Sequence, residues 1–152
     1  VEGRISGLPL GLGEPWFDGL EPALARGLMA IPAARAVEFG RGVRASKMRG
    51  SEHNDPWIAT DEGPRPSGQK PDGALGGLTT GADFFVKVHF KPPSSISQQQ
   101  NTLKISKGDQ HPLEIKGRHD PVIAPRAVAV VESVMRLIIT DLAVRGGWDL
   151  DE

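Results

Sequence analysis

A long apolar segment near the C-terminus, Ala124–Arg145, places the strongest constraint on the fold. Its periodicity predicts one helix whose surface is Val, Ala, Leu, Ile or Met on nearly every side. Glu132 and Arg136 stand four residues apart, as a helical charge pair does. Asp141 and Arg145 repeat that spacing, and such charges exclude a membrane-spanning helix. A helix that is apolar nearly all round must be buried on more than one face.

The remaining pattern predicts an earlier helix among several short strands. The helix is expected over residues 20–31, capped by Asp18 and closed by Pro32. The simplest fold for these elements is α+β, with a helical layer sandwiched between antiparallel β-sheets. Full coverage of the last helix requires partner segments, so we expect an incomplete fragment of such a fold. The strands are expected at residues 1–8, ending in a turn at 11–15, and at 34–39, 84–90, 102–106 and 112–116.

Composition narrows the class of protein further. The chain has 152 residues, of which 19 are Gly and 13 are Pro, without a three-residue period, so collagen is excluded and long glycine-rich loops are expected. The absence of Cys excludes disulfide scaffolds, thiolate catalysis and Cys-ligated metal sites. A formal net charge of -1 without a long basic run argues against a nucleic-acid surface.

The N-terminus begins at Val1 rather than Met, in what reads as a strand already under way. We therefore expect the chain to be a piece of a longer protein. No basic segment followed by an apolar core marks a signal peptide. A cytoplasmic protein without a membrane partner is the default expectation.

Residues 49–73 form the longest segment without a clear period. Some 25 irregular residues are unusual inside a compact domain, and such a segment is typically a functional loop or a lid. Disorder is the alternative interpretation. We expect ligand binding to order this long functional loop.

The densest polar cluster is the Lys-Gly-Arg-His-Asp-Pro stretch at residues 116–121. Arg118 could grip a phosphate with its planar fork of donors, and Asp120 could accept a proton. The structural alternative is an ordinary helix start, with Asp120 as the cap and Pro121 in the first turn. The residues alone leave both readings open.

Two other segments could bind a ligand. Residues 91–95 offer an ammonium and two hydroxyls on a stiff turn, which suits a phosphate but also suits an ordinary strand exit. Gly76, with Gly77, could let the backbone approach a flat ligand, or could form a hairpin. No metal site is expected, since the four His, at positions 53, 89, 111 and 119, are not spaced as metal ligands.

Taken together, these segments resemble chorismate synthase. The Arg-His-Asp-Pro stretch running into Glu132 is similar to the C-terminal signature of that family. The matches follow the order and spacing of the family along almost the whole chain. The matching stretches are 11–18, 29–33, 37–40, 49–55, 75–77, 90–96, 116–121 and 125–128.

The resemblance implies the C-terminal part of an enzyme, with two active-site histidines and most substrate-binding arginines lying in an absent N-terminal part. The implied reaction converts 5-enolpyruvylshikimate 3-phosphate to chorismate and phosphate, using reduced FMN without net redox change. The implied assembly is a homotetramer with helices between antiparallel sheets. A non-enzymatic alternative remains, in which the chain alone is an FMN-binding or assembly fragment without turnover.

The resemblance also implies roles for individual residues. Asp120 matches a catalytic aspartate near flavin N5, and Arg118 matches a catalytic arginine beside the flavin and the substrate phosphate. Residues 91–95 match the loop around the FMN phosphate and ribityl chain. Pro32 and Ala33 match the flavin-contacting turn after the first helix. Gly76 matches a glycine whose backbone packs on the flavin. The cofactor-binding residues are Pro32, Ala33, Gly76, Lys91, Pro92, Pro93, Ser94, Ser95 and Arg118.

The chain departs from the family pattern at a few positions. Asp72, within residues 69–73, replaces a glycine, which puts the local turn and the flavin affinity in question. Ala30 stands where Ser is common, and Val122 where Cys is common. Family members differ in whether NADPH or an external reductase supplies the reduced flavin, and the sequence does not decide between these routes.

Overall fold

The computed structural model describes residues 1–61, 63–67 and 72–148. Three α-helices lie in this part of the chain: α1 (Leu20–Met29), α2 (Gly50–His53) and α3 (Ala124–Arg145). The strands are β1 (Glu2–Ile5), β2 (Leu10–Gly13), β3 (Ala34–Phe39), β4 (Trp57–Thr60), β5 (Gly63–Pro66), β6 (Ala74–Leu75), β7 (Leu78–Thr80), β8 (Phe84–Phe90), β9 (Gln100–Lys104) and β10 (Asp109–Leu113).

Strand β8 is the centre of an antiparallel sheet in the order β1-β8-β3. Phe84, Val86 and Val88 are its buried positions, each at most 1% exposed. Side chains two residues apart point to one face of a strand, so the alternation predicted from the sequence becomes the core face here. The sheet buries that face under α1, which contacts β3.

A second antiparallel sheet has the order β2-β7-β6, and β4-β5 and β9-β10 form two separate hairpins. Thr79 fixes the second sheet from inside, since its hydroxyl accepts a hydrogen bond of 2.9 Å from the backbone N of Leu12. Strand β2 also contacts α3. The two long helices therefore pack against strands of both sheets, and the predicted α+β class is confirmed.

Helices α1 and α3 approach each other closely at Gly27. A Cβ atom at this position would overlap the side chain of Ile138 on α3. The missing side chain thus allows the two helices to share one core, which continues through Leu24, Leu28 and Val131.

Helix α3 is buried along one face, through Ala127, Val131, Met135, Leu142 and Ala143. Apolar side chains on the other face are exposed, most of all Leu137 at 71%. The helix has the bounds that the sequence predicts, but this chain covers only one of the faces that were expected to be buried. The described helices include none long and apolar enough to cross a bilayer.

The structure corrects several local expectations. Residues 49–73 are not irregular throughout, because α2 and the β4-β5 hairpin lie among the described ones. Asp18 does not cap α1, whose N-cap is Gly19 without a side-chain cap. The expected turn at residues 11–15 falls partly in β2, where positive φ angles at Gly11 and Gly13 bend the strand. The last two strands occur as β9 and β10, a few residues before their expected ranges.

Candidate functional site

The C-terminal end of β8 lies beside the turn that follows α1. The backbone N of Lys91 donates a hydrogen bond of 2.9 Å to the carbonyl oxygen of Ala33. Ala33 has a φ of 70°, and among the described residues only Trp16 shares this non-glycine left-handed conformation. Such a conformation costs an alanine about 1–2 kcal/mol, so the surrounding structure must hold this turn in place.

A cleft of about 380 Å³ joins this region to the segment before α3. Lys91 and Pro92 line one side, and Pro121 lines another. Three of the predicted site segments therefore meet at one end of the central sheet: the turn at Pro32 and Ala33, residues 91–95, and residues 118–121.

Ser95 and His119 connect two of these segments directly. The Ser95 Oγ and the His119 Nδ1 lie 3.1 Å apart. The other ring nitrogen, Nε2, is 2.9 Å from the carbonyl oxygen of Ile115. Both ring nitrogens are thus engaged, which fixes the orientation of the imidazole. No sequence pattern indicated a role for His119.

Asp120 does not start α3. The N-cap of the helix is Ile123, and Pro125 occupies the first turn, so the helix-cap reading of Asp120 and Pro121 is wrong. The Asp120 carboxylate instead lies 2.8 Å from the guanidinium of Arg126. Both side chains are at least a third exposed, so the pair orients the carboxylate more than it stabilises the fold.

Arg118 and Lys91 are exposed cations at the same end of the sheet. Neither side chain forms an ion pair with another residue in the described part of the chain. Two unpaired cations on the segments that carry Ser95 and His119 make this end of the sheet suited to an anion with several oxygen atoms.

Gly76 lies elsewhere, in the turn of the β6-β7 hairpin, as the hairpin interpretation predicted. The neighbouring Gly77 accepts a hydrogen bond of 2.9 Å from the backbone N of Leu20, at the start of α1. Pro32 and Ala33 follow the other end of α1, about 15 Å away for a helix of ten residues. The structure therefore does not bring Gly76 together with the other candidate residues, and its flavin contact stays a prediction.

A polar cluster around His53 and Asp72 was not predicted from the sequence. His53 Nε2 lies 2.8 Å from the Asp72 carboxylate, which also accepts a hydrogen bond of 3.2 Å from the backbone N of Arg41. Burial, and then the charge of Asp72, raises the pKa of the Glu21 carboxyl. His53 and Asp72 are 19 positions apart in the chain, so no local pattern reveals the pair.

The backbone of Asp72 bears on whether a glycine is needed at this position. The residue is absent from the non-glycine positions with positive φ, so its backbone does not require the glycine that the resemblance suggested. Its neighbours at 69–71 lie outside the described residues. The pair borders a cleft of about 480 Å³ between residues 53–56 with Pro66 on one side and the β6-β7 hairpin on the other.

Fold and site define an α+β protein with a basic, hydroxyl-bearing site at one end of an antiparallel sheet. A sequence model of the chorismate synthase family matches residues 1–144. The chain therefore belongs to the chorismate synthase family, as the resemblance indicated.

Three curated relatives illustrate the similarity. The chorismate synthase of Korarchaeum cryptofilum is 45% identical over 145 residues, which are 95% of this chain and 40% of the relative. The enzyme of Methanopyrus kandleri is 45% identical over 148 residues, 97% of this chain and 38% of its own length. That of Dehalococcoides mccartyi is 47% identical over 140 residues, 92% and 38% of the two chains. The chain thus spans about 40% of the length of these relatives.

A solved structure described as a crystal structure of chorismate synthase has the same fold. It superposes with a TM-score of 0.74 at 23% identity, covering 95% of this chain and 37% of the other. At this identity the match concerns the fold alone. It agrees with the mixed arrangement of helices and antiparallel sheets described above.

Proposed function

We propose that the chain is the C-terminal, FMN-side part of a chorismate synthase, a carbon–oxygen lyase acting on a phosphate ester. The substrate of that enzyme is 5-enolpyruvylshikimate 3-phosphate, and the products are chorismate and phosphate. Family membership supports the class of reaction. The observation that carries the site is the meeting of residues 32–33, 91–95 and 118–121 at one end of the central sheet.

The residues at this end fit the phosphate of FMN. Lys91 is exposed and free of ion pairs within the described chain, so it need not give up a partner to bind an anion; Arg118, equally exposed and unpaired there, would serve the flavin and the substrate phosphate. Ser94 and Ser95 add hydroxyl groups on the same loop, and Pro92 and Pro93 restrict its backbone. A charge-assisted site of this kind binds a phosphate dianion well.

The proposed reaction removes a carbon-bound proton and breaks the bond between carbon and the phosphate oxygen, so one new double bond forms. Reduced FMN would supply electron density that eases the departure of phosphate, and it is returned unchanged. Asp120 would hold the removed proton on its carboxylate, which Arg126 orients from 2.8 Å. Arg118 would offset negative charge on the departing phosphate. Gly76 would provide a backbone contact to the flavin.

A second candidate function is a binding or assembly part without turnover of its own. The observation in its favour is the apolar face of α3 that this chain leaves exposed, including Leu137 and Val144. We propose that the parent protein is the enzyme, assembled as a cytoplasmic homotetramer, and that the 152-residue chain alone is inactive.

The test measures chorismate formation by absorbance under anaerobic conditions, with FMN already reduced so that the reductase route does not matter. The chain is assayed alone and mixed with the N-terminal part of its parent. We expect activity only from the mixture or the full-length parent. Activity of the chain alone would contradict the fragment interpretation, and inactivity of the full-length parent would contradict the enzyme interpretation.

A matched pair of variants tests the site within the active assembly. Asp120→Asn removes the proposed proton acceptor and should lower the rate constant kcat by about 10²-fold or more. Asp109→Asn makes the same chemical change on the distant β9-β10 hairpin, where the residue is exposed, and should leave the rate unchanged. Equal effects of the two changes would remove Asp120 from the mechanism.

A further inference from the structure

We infer that His119 couples binding of the FMN phosphate to uptake of one proton, acting through the hydroxyl of Ser95. The inference rests on the proposed function, because it takes residues 91–95 as the phosphate loop. His119 is a positioning residue in this scheme. It controls which way the Ser95 hydroxyl points and need not touch the cofactor.

The tautomer of His119 follows from its neighbour Ile115. A backbone carbonyl oxygen can only accept a hydrogen bond, so the nitrogen 2.9 Å away, Nε2, must carry a hydrogen. In the neutral ring the other nitrogen, Nδ1, is then a bare acceptor. The hydroxyl of Ser95, 3.1 Å from Nδ1, must therefore donate its only hydrogen to the ring.

In this neutral state Ser95 presents only lone pairs to a ligand. A phosphate oxygen would meet the Ser95 oxygen as a second acceptor, without a hydrogen between them. Protonation of His119 reverses the bond, because Nδ1 then donates to the Ser95 Oγ. The hydroxyl hydrogen becomes free to point at a phosphate oxygen, so the anion-binding state of the loop is the one with a charged imidazole.

The charges around the ring favour the same coupling. A phosphate dianion held by residues 91–95 lowers the positive potential that Lys91 and the nearby Arg118 create at the ring, and thereby favours the imidazolium form. Asp120 is already paired with Arg126, so it is not the counterion of the ring. The charged residues on the segments that contain His119 and its two hydrogen-bond partners are Lys91, Glu114, Lys116, Arg118, Asp120 and Arg126.

The coupling predicts that FMN binds more tightly as the pH falls from 8 to 6, relative to a variant without the imidazole. Uptake of a single proton limits the change in Kd to about tenfold per pH unit, so the gain over this range is at most about 100-fold. The second ionisation of a phosphate monoester, near pH 6, opposes the trend, but it affects every variant alike. The ratio of wild-type to variant affinity therefore isolates the contribution of the protein.

The first experiment measures FMN binding to the full-length parent by quenching of flavin fluorescence, at pH 6, 7 and 8. The variants are His119→Gln, Ser95→Ala, and, as a matched control, His111→Gln on the exposed hairpin strand β10. We expect the pH-dependent gain to be lost in the first two variants and kept in the third. Riboflavin, which lacks the phosphate, should show no gain with the wild-type chain. A wild-type to His119→Gln ratio that does not change with pH would overturn the inference.

A second experiment reads His119 directly by ¹⁵N NMR of the imidazoles in the same chain, using sulfate as a probe that remains a dianion over this pH range. We expect hydrogen on Nε2 in the neutral ring, and protonation at higher pH once sulfate is added. Hydrogen on Nδ1 in the neutral ring, or a titration unaffected by sulfate, would refute the coupling.

The outcomes separate this inference from the proposed function. Chorismate formation by the full-length parent, together with FMN binding that lacks the His119-dependent gain, would keep the enzyme and remove the coupling. If the full-length parent binds neither sulfate nor FMN, the phosphate loop itself is wrongly assigned, and the inference falls with it.

Discussion

Thr79 and Thr80 are neighbours in strand β7, but only the hydroxyl of Thr79 is hydrogen-bonded within the described residues. Thr79 is 2% exposed and its hydroxyl bonds both the backbone N of Leu12 and the carbonyl oxygen of Pro9. Thr80 is 7% exposed, and its hydroxyl has no partner within the described residues. A buried polar group is favourable only when it is satisfied, so the two threonines should respond differently to the same substitution.

We predict that Thr79→Val destabilises the chain by about 1–3 kcal/mol, because it leaves a buried backbone N–H without an acceptor. Thr80→Val should be neutral or stabilising, because it removes an unsatisfied hydroxyl and keeps the shape and the strand preference. Urea unfolding of the two variants measures both effects. A larger loss from Thr80→Val than from Thr79→Val would contradict the hydrogen-bond assignment.

Glu21 provides a pH-dependent prediction at the same scale. Burial first, and the Asp72 carboxylate second, raise its pKa in the folded state. A raised pKa means that the ionised carboxylate costs the folded state more than the unfolded one. The cost is present at neutral pH and disappears as the pH falls through the raised pKa. The cost of burying the ionised carboxylate beside Asp72 outweighs the favourable effect of a negative charge in the first turn of α1.

Glu21→Gln should therefore raise the melting temperature at pH 7 to 8, and the gain should shrink as the pH falls toward 4. Thermal unfolding across this range measures it. The exposed Glu114, changed to Gln in parallel, should give a difference that varies far less with pH. A gain from Glu21→Gln that is constant over the range would be inconsistent with the raised pKa.

At the scale of elements, the β6-β7 hairpin meets the start of α1 through a backbone hydrogen bond from Leu20 to Gly77. Gly77 has a φ of 94°, and a Cβ there would overlap the carbonyl oxygen of Glu14. Gly76, next to it, has a φ of 62° but opens into free space. Substitution of Gly76 tests the cost of the left-handed backbone alone, whereas substitution of Gly77 adds the cost of a steric clash.

We expect Gly76→Ala to lower the free energy of unfolding by about 1 kcal/mol, from its left-handed backbone alone. Gly77→Ala should lower it by about 2–4 kcal/mol, because it adds a clash with rigid backbone. Chemical denaturation measures the pair. Equal losses would mean that the contact between hairpin and helix does not limit the fold.

Which elements could be predicted depends on how local their signals are. The bounds of α3 and β8 agree with the sequence, since each element has an uninterrupted period of its own. The β4-β5 hairpin was missed because Pro64, Pro66 and Gly63 read as breakers, whereas here they lie in a two-stranded hairpin without further sheet partners. The predicted cap of α1 was wrong because Gly19 precedes Leu20, and the backbone N of Leu20 donates a hydrogen bond to the carbonyl oxygen of Gly77 in the neighbouring hairpin.

At the scale of the whole molecule, residues 53–56 and Pro66 face the β6-β7 hairpin across the second cleft, and the His53–Asp72 pair joins its walls. The pair is partly buried, with side chains 34% and 25% exposed, and connects α2 to the strand that leads toward Gly76. The position of one wall therefore depends on a contact between segments that are distant in the chain.

We predict that binding of reduced FMN and substrate to the full-length parent increases hydrogen-exchange protection in residues 49–67. The amides of β8, which pair on both sides within the central sheet, provide an internal reference that should not change. Hydrogen–deuterium exchange with mass spectrometry measures both segments. Unchanged exchange in residues 49–67 would argue against ordering of this segment by ligand.

The sequence by itself determined the α+β class, the long apolar helix, the central strand and the family, because these rest on periodicity and on contiguous motifs. The tertiary structure decided which polar groups meet. It brings Ser95 against His119 and His53 against Asp72. It pairs Asp120 with Arg126 instead of placing it at the start of the helix, and it separates Gly76 from the other candidate residues. The physical reason is range: a period is set by neighbours along the chain, whereas a hydrogen bond between distant segments exists only after the core has packed.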